Sequence, residues 1–139
     1  MLTYPKEVLE RTGEHVNENP YAKRWLMENK QEALVKLIDA TIYRDSKAVE
    51  YLLLNKHFIL VAFVNAVWED KKALTLLLDK KEVVWAAMAN YINGDEGAGL
   101  FLKKNKLLSY ATLAETIQAK IRKLNDKNSS FFNSGPFKV

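Results

Sequence analysis

The sequence predicts an all-α fold, a right-handed-type α-solenoid of four helix-turn-helix repeats of about 25 residues each. Two observations predict it. Cut every 25 residues from Tyr21, the chain gives four blocks that align without a gap, and six columns are apolar in all four. They are Leu26/Tyr51/Leu76/Phe101, Met27/Leu52/Leu77/Leu102, Ala33/Phe58/Val83/Leu108, Val35/Leu60/Trp85/Tyr110, Ile38/Phe63/Met88/Leu113 and Ile42/Val67/Ile92/Ile117. In addition, Asp45, Asp70 and Asp95 close three of the blocks, where an N-cap carboxylate accepts from the free N–H groups of a following helix.

Residues 1–20 read as an N-terminal cap. Pro5 to His15 forms a short helix with Val8 and Leu9 inward, Gly13 lies near its stop, and Pro20 stands just ahead of the first repeat. Residues 21–125 hold the four repeats. Each begins with a helix of about two turns and passes a polar turn, as at Asn55-Lys56 or Lys104-Asn105-Lys106, where Asn tolerates left-handed backbone. A second helix of about three turns follows, for example Phe58 to Glu69, with Leu60, Phe63 and Val67 on one face. Helices this short do not persist alone in water, so the pairs must stack, and four layers at about 8–10 Å each predict a rod roughly 40 Å long. Asn65 and Asn90 share a column between Ala40 and Glu115 and are expected to form a hydrogen-bonded ladder between layers. In the fourth block the second helix runs on through Ile121 and Leu124, with Lys120, Arg122 and Lys123 suited to a helix C-terminus. Residues 126–139 lack periodicity and read as an extended polar and aromatic tail.

The architecture is similar to ankyrin, tetratricopeptide and HEAT-type solenoids, but the period is shorter than theirs. The Thr-Pro-Leu-His and Trp–Leu-Gly–Tyr signatures are absent, so no functional residue is carried over.

Several functions are disfavoured. The chain has no cysteine, so it has neither a disulfide nor a thiolate. His15 and His57 are its two histidines, without metal-binding spacing, and the serines lack a nucleophile-elbow motif. The acidic pairs Glu69-Asp70 and Asp95-Glu96 fall at turns, where capping accounts for them. The segment Asn93 to Gly99 lacks the Lys-Ser/Thr of a phosphate loop and the ligand alternation of a calcium loop. The expectation is a non-enzyme with neither cofactor nor metal, and an enzyme with an unrecognised site is the weaker alternative. Phe58 to Val64 is too short to span a membrane, and the first residues do not resemble a secretory signal. A cytoplasmic location, or one inside a large assembly such as a virion, is expected.

What remains is binding. Tyr43 and Trp68 fill one column, with Asn93 and Gln118 in the next two blocks, and an exposed Tyr–Trp pair is a typical anchor for a protein partner. Phe131, Phe132 and Phe137 supply the apolar area of the tail, which reads as a docking segment. The leading expectation is therefore an interaction or structural subunit bound to other proteins, as in a virus or phage particle. An alternative rests on Lys30, Lys56, Lys80, Lys81, Lys104 and Lys106, which recur at the turns and stack into a basic edge suited to nucleic acid or an anionic surface. The net charge of +4 is mild, and no aromatic interleaves the lysines to stack single-stranded bases.

Overall fold

The computed structural model describes the backbone of residues 1–133 and the side chains of residues 1–126. These residues form nine helices and no strand: α1 (Lys6–Val16), α2 (Pro20–Glu28), α3 (Glu32–Tyr43), α4 (Ser46–Leu54), α5 (Phe58–Val67), α6 (Lys71–Asp79), α7 (Val83–Ile92), α8 (Glu96–Lys104) and α9 (Leu108–Asn133).

Local chemistry sets the boundaries. Asn19, Asp45, Asp70 and Asp95 are the N-caps of α2, α4, α6 and α8, and each side-chain oxygen accepts from backbone N–H groups of the first turn. Pro20 occupies the first position of α2, where its missing N–H costs nothing. The residue before each cap (Glu18, Arg44, Glu69, Gly94) has positive φ, which reverses the chain.

The odd-numbered helices form an inner layer and the shorter even-numbered ones an outer layer. Helix α3 packs on α5, α5 on α7 and α7 on α9, while each even-numbered helix packs on the two odd-numbered helices that flank it in sequence. The inner helices run parallel: Trp68 and Asn93, the C-caps of α5 and α7, and Gln118, within α9, each bridge to the last turn of the preceding inner helix. Trp68 Nε1 donates to the Thr41 carbonyl at 3.0 Å, Asn93 Nδ2 to the Ala66 carbonyl at 3.2 Å, and Gln118 Nε2 to the Tyr91 carbonyl at 3.0 Å. Each bridge lands on a carbonyl in the last turn of the preceding inner helix, where Ala66 O and Tyr91 O also accept from the backbone N–H groups of Glu69 and Gly94. A ladder thus exists, but in the column of Trp68, Asn93 and Gln118. Asn65 is exposed and Asn90 half-buried, and neither side chain hydrogen-bonds among the described residues.

The expected rod is replaced by a closed circuit. Helix α1 packs on both α3 and α9, and α3 also touches α9. What reads in sequence as a cap for one end is a fifth inner helix that joins the first layer to the last. The middle is filled by Trp85, which has no exposed surface and meets Tyr4, Phe63 and Tyr110 edge-on at 6.1, 5.3 and 6.2 Å. The segment ahead of α1 lies across this end of the core. The carboxylate of Glu82, a buried charged residue, accepts from Leu2 N at 3.0 Å, Trp85 Nε1 donates to Leu2 O at 2.9 Å, and the Tyr110 hydroxyl accepts from Tyr4 N at 2.9 Å. Burial, followed by repulsion from Tyr110, raises the Tyr4 phenol to about 12.

The gapless alignment slips by one residue in the first block. Lys30 and Lys56 share the same backbone conformation 26 residues apart, whereas Lys56, Lys81 and Lys106 share it 25 apart. Helix α3 carries the additional residue. The fully buried set on the outer helices is therefore Leu26, Leu52, Leu77 and Leu102, while Met27 is 44% exposed. On the inner helices, Leu34 aligns with Leu60, Trp85 and Tyr110. The column Ala33/Phe58/Val83/Leu108 is no core seam either: Phe58, Val83 and Leu108 are 55%, 42% and 61% exposed.

Helix α9 also departs from expectation. It continues to Asn133, through residues 126–133 that the sequence assigns to an extended tail. Where the other inner helices turn, at Arg44-Asp45, Glu69-Asp70 and Gly94-Asp95, α9 has Ala119-Lys120. With a helix former in place of the left-handed residue and a cation in place of the cap acid, nothing stops the helix. Lys120 Nζ instead lies 3.7 Å from Glu18 Oε2.

Candidate functional site

Because the inner helices are parallel, the four turns joining an outer helix to the next inner one gather at one end of the molecule. Three of them are built alike. A C-cap asparagine (Asn29, Asn55, Asn105) donates its side-chain amide to the carbonyl four residues back, at 2.8, 2.8 and 2.7 Å. In the remaining turn the C-cap is Lys80. The residue after the cap is in the left-handed region in all four turns, and in all four it is lysine: Lys30 (φ 61), Lys56 (φ 60), Lys81 (φ 61) and Lys106 (φ 61). Lys104, the last residue of α8, belongs to the same end, and all six of these lysines are exposed.

Two residues beyond each of the last three left-handed lysines comes the first residue of an inner helix: Phe58, Val83 and Leu108. Side chains at this point lie outside the packed layers, so these three remain open to solvent. Leu54 and Leu78, from the last turns of α4 and α6, are 74% and 50% exposed at the same end. The surface therefore mixes lysines with aliphatic and aromatic groups. Its acids are fewer. Glu82 is buried against Leu2, Glu32 is half-buried and accepts from the Tyr51 hydroxyl, and Glu28 and Asp79 are exposed.

Tyr43 and Trp68 make different contacts. Tyr43 is 49% exposed and donates its hydroxyl to Glu18 Oε1 at 3.0 Å. Trp68 is half-buried, committed through Nε1 to Thr41 and covered by the Arg44 guanidinium 4.4 Å from the ring centroid. The side chains of Phe131 and Phe132, and all of Phe137, lie outside the described residues.

Two other hollows hold polar groups. One, of about 420 Å³, is lined by His15, Glu18, Asn19, Lys23, Asp39 and Tyr43 among others. His15 Nε2 is buried without a hydrogen-bond partner, 3.7 Å from Asp39 Oδ1. Burial holds the imidazole below its ordinary value of 6.5, against the opposing pull of Asp39. A larger hollow of about 1020 Å³ lies between α1 and α9, where no outer helix is present. Its α9 wall is Leu108, Ser109, Thr112, Leu113 and Thr116; Ser109, Thr112 and Thr116 stand at positions that in α5 carry Ile59, Ala62 and Ala66. Among the described residues, no group of three or more His, Cys, Asp or Glu side chains gathers to hold a metal, and no helix is long and apolar enough to cross a membrane.

The chain matches no protein-family model, no curated protein and no solved structure. Its surfaces must therefore speak through their own chemistry. The lysine turns are the most uniform feature on the molecule. The alternation of exposed apolar residues with them escapes the sequence columns, because Phe58, Val83 and Leu108 look like core when aligned. Their place directly after a turn, two residues from the lysine, is the signal that marks them as first-turn residues with little below them to cover.

Proposed function

We propose that this chain is a non-catalytic helical-repeat module of solenoid type, closed on itself, that docks onto an anionic partner through its lysine end. One observation carries the reading. A left-handed backbone favours Gly or Asn, and a residue with a Cβ there costs roughly 1 kcal/mol or more. At the opposite turns this position varies as Glu18, Arg44, Glu69 and Gly94, yet at this end it is lysine four times. A solvated surface requires no such uniformity, so the recurrence supports selection for the charge itself.

Of the pair expected to anchor a protein partner, Tyr43 is exposed and Trp68 is half-buried with its Nε1 on the Thr41 carbonyl. The broader idea of a subunit within a larger assembly is compatible with docking through the lysine end.

The test replaces Lys30, Lys56, Lys81 and Lys106 together by glycine and compares the variant with the parent. Folding stability is expected to be kept or raised, since glycine relieves the left-handed strain. Retention on an immobilised polyanion at low salt is expected to fall sharply, and the parent's retention to weaken steeply as salt rises. Unchanged retention in the glycine variant would overturn the proposal.

A further inference from the structure

We infer that the anionic partner of the lysine end is a lipid bilayer surface, with Leu54, Phe58 and Leu108 entering the interface between the lysines. The inference rests on the docking proposal above and adds the chemical class of the partner.

Three features separate a bilayer from other polyanions. First, the exposed apolar groups lie on the same end as the charges. A nucleic-acid backbone offers nothing to Leu54, Leu78, Val83 or Leu108, and a single strand needs several rings to stack on, where this end supplies Phe58. An acyl boundary accepts all five. Second, the six cations are all lysine. Arginine is the residue for fixed carboxylate or phosphate partners, because its planar fork bonds them two at a time. Lysine acts as a point charge on a flexible stem and suits the diffuse negative field of a mixed-lipid leaflet. Third, the cations are spread over four successive turns rather than gathered in a cleft, and neither of the hollows described above is lined by any of them. Neighbouring inner helices are spaced about 8–10 Å apart, close to the spacing of lipid headgroups, so each layer can meet its own anionic lipid. No membrane span is required. The mode is surface attachment, in which charge brings the end to the leaflet and apolar side chains hold it there.

The experiment sediments the full chain with vesicles of phosphatidylcholine alone, and with vesicles in which about one third of the lipid is phosphatidylserine. Binding is expected to the anionic vesicles and not to the neutral ones. Replacing Lys56, Lys81 and Lys106 by alanine should weaken it on the order of a hundredfold, the product of about fivefold per lysine. Phe58→Ser with Leu108→Ser should weaken it several-fold. Both positions are largely exposed, so the fold should survive, and circular dichroism checks that it does. In Phe58→Trp, emission should shift to the blue with anionic vesicles if the ring enters the interface.

No binding to anionic vesicles, or no blue shift and no effect of the double serine variant, would overturn the bilayer assignment. If the polyanion retention described above still depends on the lysines in that case, the docking proposal stands and its partner is soluble. If that retention is also indifferent to the lysines, both fall.

Discussion

Leu26 and Met27 are neighbours on one short helix, yet one has no exposed surface and the other is 44% exposed. Leu26→Ala should cost about 2–5 kcal/mol in chemical denaturation, as emptying a buried leucine site does, and Leu52→Ala and Leu77→Ala should behave alike. Met27→Ala should cost less than about 1 kcal/mol. The reverse order would restore the gapless register and remove the additional residue from α3. Most of the core residues in the last three blocks could be read from periodicity, because Leu60, Phe63 and Val67 have one face to turn inward. The slip in the first block could not, since Leu34 and Val35 are both buried, as are Leu37 and Ile38, and either member of each pair satisfies an apolar pattern. His15 offers a second test at this scale. Its folded pKa is depressed, so below 6.5 the unfolded chain binds the proton more readily than the native one. Stability should be full above that value and fall as pH drops from about 7 towards 5. In His15→Gln, followed by urea unfolding at both ends of that window, the histidine share of the fall should vanish. An equal fall in the variant would assign it to other groups.

Among the elements, the one that breaks the pattern is α9. The aspartates at 45, 70 and 95 made the turns legible, and the same logic accounts for the missing fifth turn, since Lys120 stands where the next aspartate falls. Reading that substitution as a cationic helix end, with a tail beyond it, put the stop too early. Replacing Ala119-Lys120 by Gly-Asp copies the turn at Gly94-Asp95. The expected result is a helix that ends near residue 118, with amide-exchange protection lost from residues 121–126 while α7 and α8 keep theirs. Protection that persists past residue 121 would show that tertiary packing of Ile121 and Leu124, rather than the absent stop signal, sustains the helix. The bridges between inner helices belong to this scale as well. Trp68→Phe keeps a ring and removes the donor to the Thr41 carbonyl, so it should cost about 1 kcal/mol in denaturation experiments. No change would mean that water replaces the indole without penalty.

At the scale of the whole molecule, the closed circuit was the least legible feature. Nothing in the periodicity of α1 distinguishes a helix that covers one end from a helix that meets both, because Val8, Leu9 and Val16 serve either arrangement. A measurement separates them. Leu9→Ala empties a site that is 2% exposed, at a cost of about 2–5 kcal/mol. In an open stack the loosening would fade with distance from the first layer. In the observed arrangement, exchange protection should fall in α9 near residues 109–116 as much as in α3, while α5 and α6 are affected less. A loss confined to α2 and α3 would contradict the contact between α1 and α9.

That contact also limits how such a chain can grow. A stack with two free ends can gain a layer by duplication at either end, and its length can drift from one descendant to the next. Here the last inner helix already touches the first, so an inserted pair would have to pry α1 from α9 and widen the ring around Trp85, opening a void that the existing side chains are too small to fill. The number of layers is thus a closure condition, like the number of staves in a barrel. Variation in such a chain is steered towards its exposed side chains, which can change without disturbing the count.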